Sequence, residues 1–335
     1  MLMKKCFFTK ILILIALLTL FVQCAKDDLK QGQTNVYVVG VENDKNYNIA
    51  VKLWKNEEGS FISNNTPITY KEAISVFVSG SDVYVLYLEN GYKLWKNGIV
   101  TDLTVEDFNA ATSIYVSGTD VYITGYKDTQ NGFRYARLWK NGTLTDLSDG
   151  LMSSEANAVF VSGSDVYVVG AVTDFELNQR ARIWKNGIGT NLEGLAERSN
   201  AMSVFVKNND IYVAGLDITF DLDYYPSIWK NGVISHLSSK AGMASANAVF
   251  VSDSTVYVAG SVNDVAKLWK NGVATNLSDG AEHAKAKSVF IAGSDVYVAG
   301  FISNQGILWK NGIATNLSGE SAKSSSANSV FVTSN

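Results

Sequence analysis

The sequence predicts an all-β fold of seven four-stranded units joined in a circle, and three observations carry that prediction. The first is composition. The 335 residues include 27 glycines, two prolines, 47% hydrophobic and 11% aromatic residues, a mix that favours strands joined by tight turns. The second is a repeat of roughly 40–45 residues. The third is that both chain ends are fragments of that repeat.

Tryptophan marks the repeat. Trp54, Trp95, Trp139, Trp184, Trp229, Trp269 and Trp309 are each followed by Lys-Asn and, in six copies, by Gly. A V-Y-V-x-G segment precedes each one, starting at Val36, Val83, Val121, Val166, Ile211, Val256 and Val296; the second copy ends in Tyr87 instead of Gly. An S-V-F-V segment also recurs seven times, from Ser75, Ser113, Ala158, Ser203, Ala248, Ser288 and Ser329. A whole unit therefore reads A-x-S-V-F-V, S-G-S-D turn, V-Y-V-A-G, variable loop, A-K-L-W-K, N-G turn, x-x-T-N-L.

Each piece justifies a strand or a turn. The N-G pairs suit two-residue type I′ hairpins, whose central positions both need positive φ. S-G-S-D makes a slightly longer hairpin between the first two strands. Four antiparallel strands in this length match a blade of a β-propeller. A β-sandwich or a linear solenoid, the competing plans, does not require seven such units.

The ends fit the same plan. The chain enters at Asn35-Val36-Tyr37-Val38, already on a second strand, and stops at Ser329–Val332, having completed only a first strand. Joined, they make a seven-bladed propeller closed by pairing the C-terminal strand with the N-terminal blade, which removes an exposed edge. Alanine precedes every S-V-F-V strand, so the small residues place that strand innermost. The V-Y-V strand should be buried on both faces. On the third strand, Lys52, Lys93, Arg137, Arg182 and Lys267 lie two positions before Trp and share its side. Their stems should cover the indole with the charge in water.

The first residues read as an address. Lys4 and Lys5 precede an apolar run from Ile11 to Val22 that stops at Gln23-Cys24, a signal-peptide pattern too short to span a bilayer comfortably. Phe21-Val22-Gln23-Cys24 resembles a lipobox, departing from it at Phe21 and Gln23. The expected division is a signal peptide over 1–23, a polar tether over 24–34 beginning at a lipidated Cys24, and the propeller over 35–335. Ala25-Lys26-Asp27-Asp28 resembles the surface-export signal of Bacteroidota-like lipoproteins, which implies the outer face of the outer membrane; a secreted or periplasmic protein is the alternative. Lipid would be the only membrane contact. Removing Lys4, Lys5 and Lys10 takes the formal charge from −4 to −7. No Lys/Arg run marks a nucleic-acid site.

Chemistry-bearing motifs are sparse. His236 and His283 have no H-x-x-x-H, H-E-x-x-H or Cys partner, so no metal or other cofactor is expected. Asp82, Asp120, Asp165, Asp210 and Asp295 recur at one turn position, which points to turn hydrogen bonding and not to a unique catalytic acid. The V-Y-V-x-G and W-K-N-G units resemble bacterial β-propeller repeat proteins over 35–335. They lack the W-D of WD40 repeats, the Gly-Gly of kelch and the S-x-D-x-G-x-T-W of sialidase boxes. That resemblance implies a fold and no activity.

The copies differ most between V-Y-V-x-G and Trp. That stretch holds 13 residues in units 1, 3, 4 and 5, and 7, 8 and 8 in units 2, 6 and 7. Three long loops carry dissimilar aromatic and charged residues: Tyr126, Phe133, Arg134 and Tyr135; Phe175, Glu176 and Arg180; Phe220, Asp221, Asp223, Tyr224 and Tyr225. Such side chains suit a protein interface or a sugar-binding surface, and equally the packing of loops onto the propeller. The expected function is a monomeric, non-enzymatic binding or scaffold module for protein or glycan ligands. The alternative is a carboxylate-dependent polysaccharide hydrolase or lyase acting at the mouth of the central channel.

Overall fold

The computed structural model describes residues 34–67, 70–103, 108–194, 198–219 and 221–334. The signal segment, Cys24 and the tether up to Gln33 lie outside the described residues. The described chain is an all-β, β-propeller arrangement of four-stranded antiparallel blades. In the second unit Lys71–Ser79 pairs with Asp82–Glu89, then Tyr92–Lys96, then Ile99–Asp102. The other units repeat that order.

The turns form as their residues require. Both φ angles are positive at all six N-G pairs, for example 47° at Asn97 and 94° at Gly98. The first unit has Asn56-Glu57 there, so Glu57 holds a φ of 71° without the freedom of glycine.

Hydrogen bonding does not separate the units into seven four-stranded sheets. Four sheets have four strands, one has five and one has eight. The eight-stranded sheet contains two units, linked by a single parallel bridge between Gln179 and Arg198. The five-stranded sheet joins the ends of the chain: Ala322–Ser334 pairs antiparallel with Thr34–Asp44, with Val330 opposite Val38 and Val332 opposite Val36. Its fifth strand is the short Thr66–Pro67, which pairs with Asn48–Lys55.

The S-V-F-V strands pack against one another through a circuit of rings. Phe77, Tyr115, Phe160, Phe205, Phe250, Phe290 and Phe331 contact in that order, and Phe331 returns to Phe77. Neighbouring centroids lie 4.7–5.0 Å apart and tilted, a favourable aromatic geometry. The V-Y-V strands behind them are buried on both faces, as in Asp165–Thr173, where Tyr167 to Ala171 are all buried.

Each S-V-F-V strand carries a register shift just after its alanine, between Ala156 and Ala158 for example. The residue between them, the x of A-x-S-V-F-V, is the extra residue of a β-bulge. The bulge also accounts for the glycine of V-Y-V-x-G. A Cβ on Gly170 would stand 1.9 Å from the Glu155 carbonyl oxygen, and one on Gly40 would stand 1.7 Å from that of Ser326. At these positions glycine lets the two backbones approach more closely than a Cβ would allow, whereas the second unit forms the same register shift with Tyr87 in that place.

The third strands differ from expectation in where their charges go. Lys52 and Arg182 do lie over Trp54 and Trp184, at 5.3 and 5.8 Å from the ring centroids. The Lys52 ammonium, however, is buried in an ion pair with Glu42 at 2.7 Å instead of reaching water. Arg137 stacks on Tyr135, while Lys93 pairs with Asp102. The indoles also tie units together. Trp269 donates to the Leu237 carbonyl and Trp309 to that of Leu277, each in the preceding unit. Trp54 donates to the Leu317 carbonyl, which links the first unit to the last.

Candidate functional site

The recurrent aspartates serve the turns, as their repetition predicts. Asp120 accepts from the Asn141 amide at 2.7 Å and the Lys140 ammonium at 2.7 Å. The same pair of donors serves Asp82, Asp165, Asp210 and Asp295. The asparagine is doubly engaged, because its Oδ1 also accepts the N–H that opens the second strand, as with Asn141 and Val121 at 2.9 Å. The neighbouring lysine and asparagine hold each carboxyl below its ordinary value of 3.8, with Asn311 the larger influence on Asp295.

A pH dependence follows from those directions. The folded state favours the ionised aspartates, so their contribution is complete above the unfolded value of about 3.8–3.9 and is lost as pH falls through the lower folded values. The melting temperature of wild type should therefore exceed that of Asp165→Asn at pH 7, with the gap closing as pH falls below the unfolded aspartate value and through the lowered folded one. Thermal melts of both proteins across pH 2–7 check this. A gap independent of pH would show that the charge contributes nothing.

The three predicted loops are built largely from mutual contacts. The Arg134 guanidinium lies 4.2 Å over the Tyr126 ring and reaches Asp128 and Glu155 at 3.4 and 3.7 Å. The Tyr135 hydroxyl accepts from Arg137 at 3.0 Å. Arg180 pairs with Asp174 at 3.5 Å, and Glu176 accepts from the Asn178 amide at 3.3 Å. Asp223 pairs with Lys240 at 3.2 Å, and Tyr224 bridges to Ala241 through the backbone. Tyr225 stacks on His236 at 4.6 Å, and that imidazole meets Asp217 at 3.2 Å. Asp221 and Phe133 are exposed, and Phe175 is 82% exposed, the most open aromatic ring among the described residues. Phe220 lies outside the described residues.

A further cavity lies elsewhere, at the mouth of the inner strands. It encloses about 630 Å³. Every bulge residue lines it: Ile74, Thr112, Asn157, Met202, Asn247, Lys287 and Asn328. Four of them stitch neighbouring units together. Thr112, Asn157, Asn247 and Asn328 donate to the carbonyls of Ala156, Ala201, Ala286 and Ala73, at 2.7, 2.8, 2.7 and 2.5 Å. Of the residues expected from the loops, Tyr126 alone reaches this lining.

The lining carries both cations and an anion. Lys285 and Lys287 are the cations. Lys287 donates to the Asn328 Oδ1 at 2.8 Å and lies 5.2 Å from the Phe301 centroid. Neither lysine has a carboxylate within ion-pair distance among the described residues. Burial pushes the Lys285 ammonium down. Burial, and then the charge of Lys285, do the same to Lys287, with Glu72 opposing. Glu72 stands in the same lining and accepts from the Tyr70 hydroxyl at 3.0 Å. Burial pushes the Tyr92 phenol up to about 12, so it keeps its proton at neutral pH. A second cavity of about 400 Å³, lined by Tyr224, His283 and Phe301 among others, shares both lysines. Among the described residues no group of three His, Cys, Asp or Glu converges to hold a metal ion.

Comparison with known proteins adds the fold and little more. No family profile matches the chain, and no curated protein matches it. Among solved structures it is similar to the crystal structure of TolB from Acinetobacter baumannii, with a TM-score of 0.50 and 11% identity over 90% of this chain and 67% of that one. A likeness at that identity supports the propeller arrangement alone.

Proposed function

We propose that the chain is a seven-bladed propeller closed by its own C-terminal strand, tethered outside the cell by lipid on Cys24, and that it binds a ligand at the channel mouth without chemical turnover. One observation carries the binding reading. Turn, core and stacking positions are nearly uniform across the copies, whereas the bulge position varies through Ile, Thr, Asn, Met, Asn, Lys and Asn around one cavity. A position that served packing alone would be expected to repeat like the others. The blade count is supported by the seven-membered ring circuit and by the pairing of Ala322–Ser334 with Thr34–Asp44. Pairing of the C-terminal strand with Thr34–Asp44 covers the edge that either would otherwise expose, which accords with a monomer. The lipoprotein reading rests on Lys4, Lys5, the apolar run and Cys24.

The long loops of units 3–5 supply the outer part of this binding surface, with Tyr126 as the link to the mouth. Exposing the protein to a panel of glycans and proteins, with both retention and products scored, separates the two functional classes. Retention without new reducing ends or unsaturated products is the expected result; turnover would establish the carboxylate-dependent enzyme instead. Replacing Phe220, Tyr224 and Tyr225 together by alanine should reduce capture at least tenfold with an unchanged melting temperature. Unchanged capture would remove these loops from the surface.

A further inference from the structure

The cavity at the channel mouth is lined by cations as well as by hydrogen-bond acceptors, and the combination narrows its ligand. The cations are the Lys285 and Lys287 ammonium groups, two residues apart on the strand Ala284–Ala292. Three features make them a pair for an anion. They share one lining, they lack carboxylate partners among the described residues, and one of them is held in place by Asn328 at 2.8 Å. A desolvated cation without a counter-ion is costly, and an incoming carboxylate relieves that cost with charge-assisted hydrogen bonds.

The acceptors ask for hydroxyls. The Asn157 amide nitrogen donates to the Asn200 Oδ1 and the Ala201 carbonyl, and one N–H of Asn247 goes to the Ala286 carbonyl, so the Oδ1 atoms of both stand in the lining as acceptors. Glu72 adds carboxylate oxygens to the same lining. Tyr92 brings an apolar ring with a hydroxyl at the edge, a surface on which the C–H face of a pyranose can stack, while one face of Tyr126 in the same lining is covered by Arg134. A ligand with one carboxylate, several hydroxyl donors and an apolar ring face meets all of these at once. A peptide C-terminus would meet the lysines but bring few hydroxyls to the acceptors.

We propose that the channel mouth binds a uronic acid residue of an acidic polysaccharide, with Lys285 and Lys287 holding its carboxylate and Glu72, Asn157 and Asn247 accepting from its hydroxyls. This inference rests on the reading of the protein as a binding module and names its ligand class. The mouth provides for recognition of a single sugar and its immediate neighbours; the 630 Å³ available is on that scale.

The test uses the full chain in detergent and measures dissociation constants for oligogalacturonate and oligoglucuronate, their carboxyl-reduced neutral counterparts, and peptides with a free C-terminal carboxylate. The expected result is retention of a uronate oligomer, at least tenfold weaker binding after carboxyl reduction, and a comparable loss in Lys285→Met and Lys287→Met. Lys287→Arg should keep part of the affinity, since the charge is retained. Thermal melts confirm that the variants fold, and the carboxyl-reduced ligands test the claim on wild type in any case. Equal retention of acidic and neutral oligomers, or unchanged affinity in folded lysine variants, overturns the uronate assignment while leaving a binding module in place. Preference for the peptides overturns it in favour of a protein ligand. No retention of any probe overturns the assignment and tells against the binding reading as well.

Discussion

Replacing Glu42 with alanine is expected to destabilise the protein by about 3–5 kcal/mol, the usual cost of leaving one member of a buried ion pair alone. The Glu42 Oε2 accepts from the Lys52 ammonium at 2.7 Å and from the Gly319 N–H at 2.9 Å. Both charged side chains are nearly withdrawn from solvent, at 8% and 10% exposure. Loss of the carboxylate therefore strands an ammonium and a backbone donor together. The location adds to the effect, because Gly319 belongs to the last unit and Glu42 to the first. Replacing both partners, Glu42→Leu with Lys52→Met, should recover most of the loss, since no buried charge is then left unpaired. Urea unfolding of wild type, the two singles and the double closes the cycle. A single variant as stable as wild type would mean that water reaches Lys52 after all.

Much of this architecture is readable in the sequence because its determinants are local. Asn-Gly fixes positive φ wherever it occurs, and the six pairs adopt it. Alternating Val and Tyr within V-Y-V-x-G report a strand whose two faces are both covered. The aspartate at the S-G-S-D turn is legible as structural because it repeats, although the partners it finds are on the neighbouring N-G turn, about 20 residues away in Asp120 and Asn141.

What is not legible depends on register and on long-range neighbours. The x of A-x-S-V-F-V looks like a free position in a strand; only the register shift turns it into a bulge that faces the cavity mouth. The glycine of V-Y-V-x-G records that bulge from the other side, and it is the one signal from which the cavity lining could have been found. The partners of the loop aromatics are also out of reach of the sequence. Tyr126, Tyr135 and Tyr225 read equally as a binding surface or as loop packing, and only the structure places Arg134, Arg137 and His236 respectively against their rings. The burial of Lys52 is invisible for the same reason, since Glu42 stands on the preceding strand with nothing in its spacing to mark the pair. Likewise the single bridge between Gln179 and Arg198, which merges two units into one sheet, follows from how the first residues of the strands Gln179–Lys185 and Arg198–Lys207 approach.

The second large effect concerns the last strand. Deleting residues 326–335 takes away Ala327, Val330 and Val332, all buried, together with Phe331 of the ring circuit. Each large apolar side chain contributes about 1.5–3 kcal/mol when buried. The Asn328 amide that reaches the Ala73 carbonyl goes with them, as does the Ser329 hydroxyl that accepts the Val76 N–H at 3.3 Å. The N-terminal strand is left with an open edge, and the two ends of the chain lose their shared sheet. The loss falls on the whole molecule, because neighbouring blades support one another.

Thermal unfolding of the truncated chain beside the full one tests circular closure most directly. The expected result is a melting temperature lower by roughly 10 °C or more, or no cooperative transition at all. Equal melting temperatures would mean that the C-terminal strand does not hold the two ends together, and the circular plan would fall.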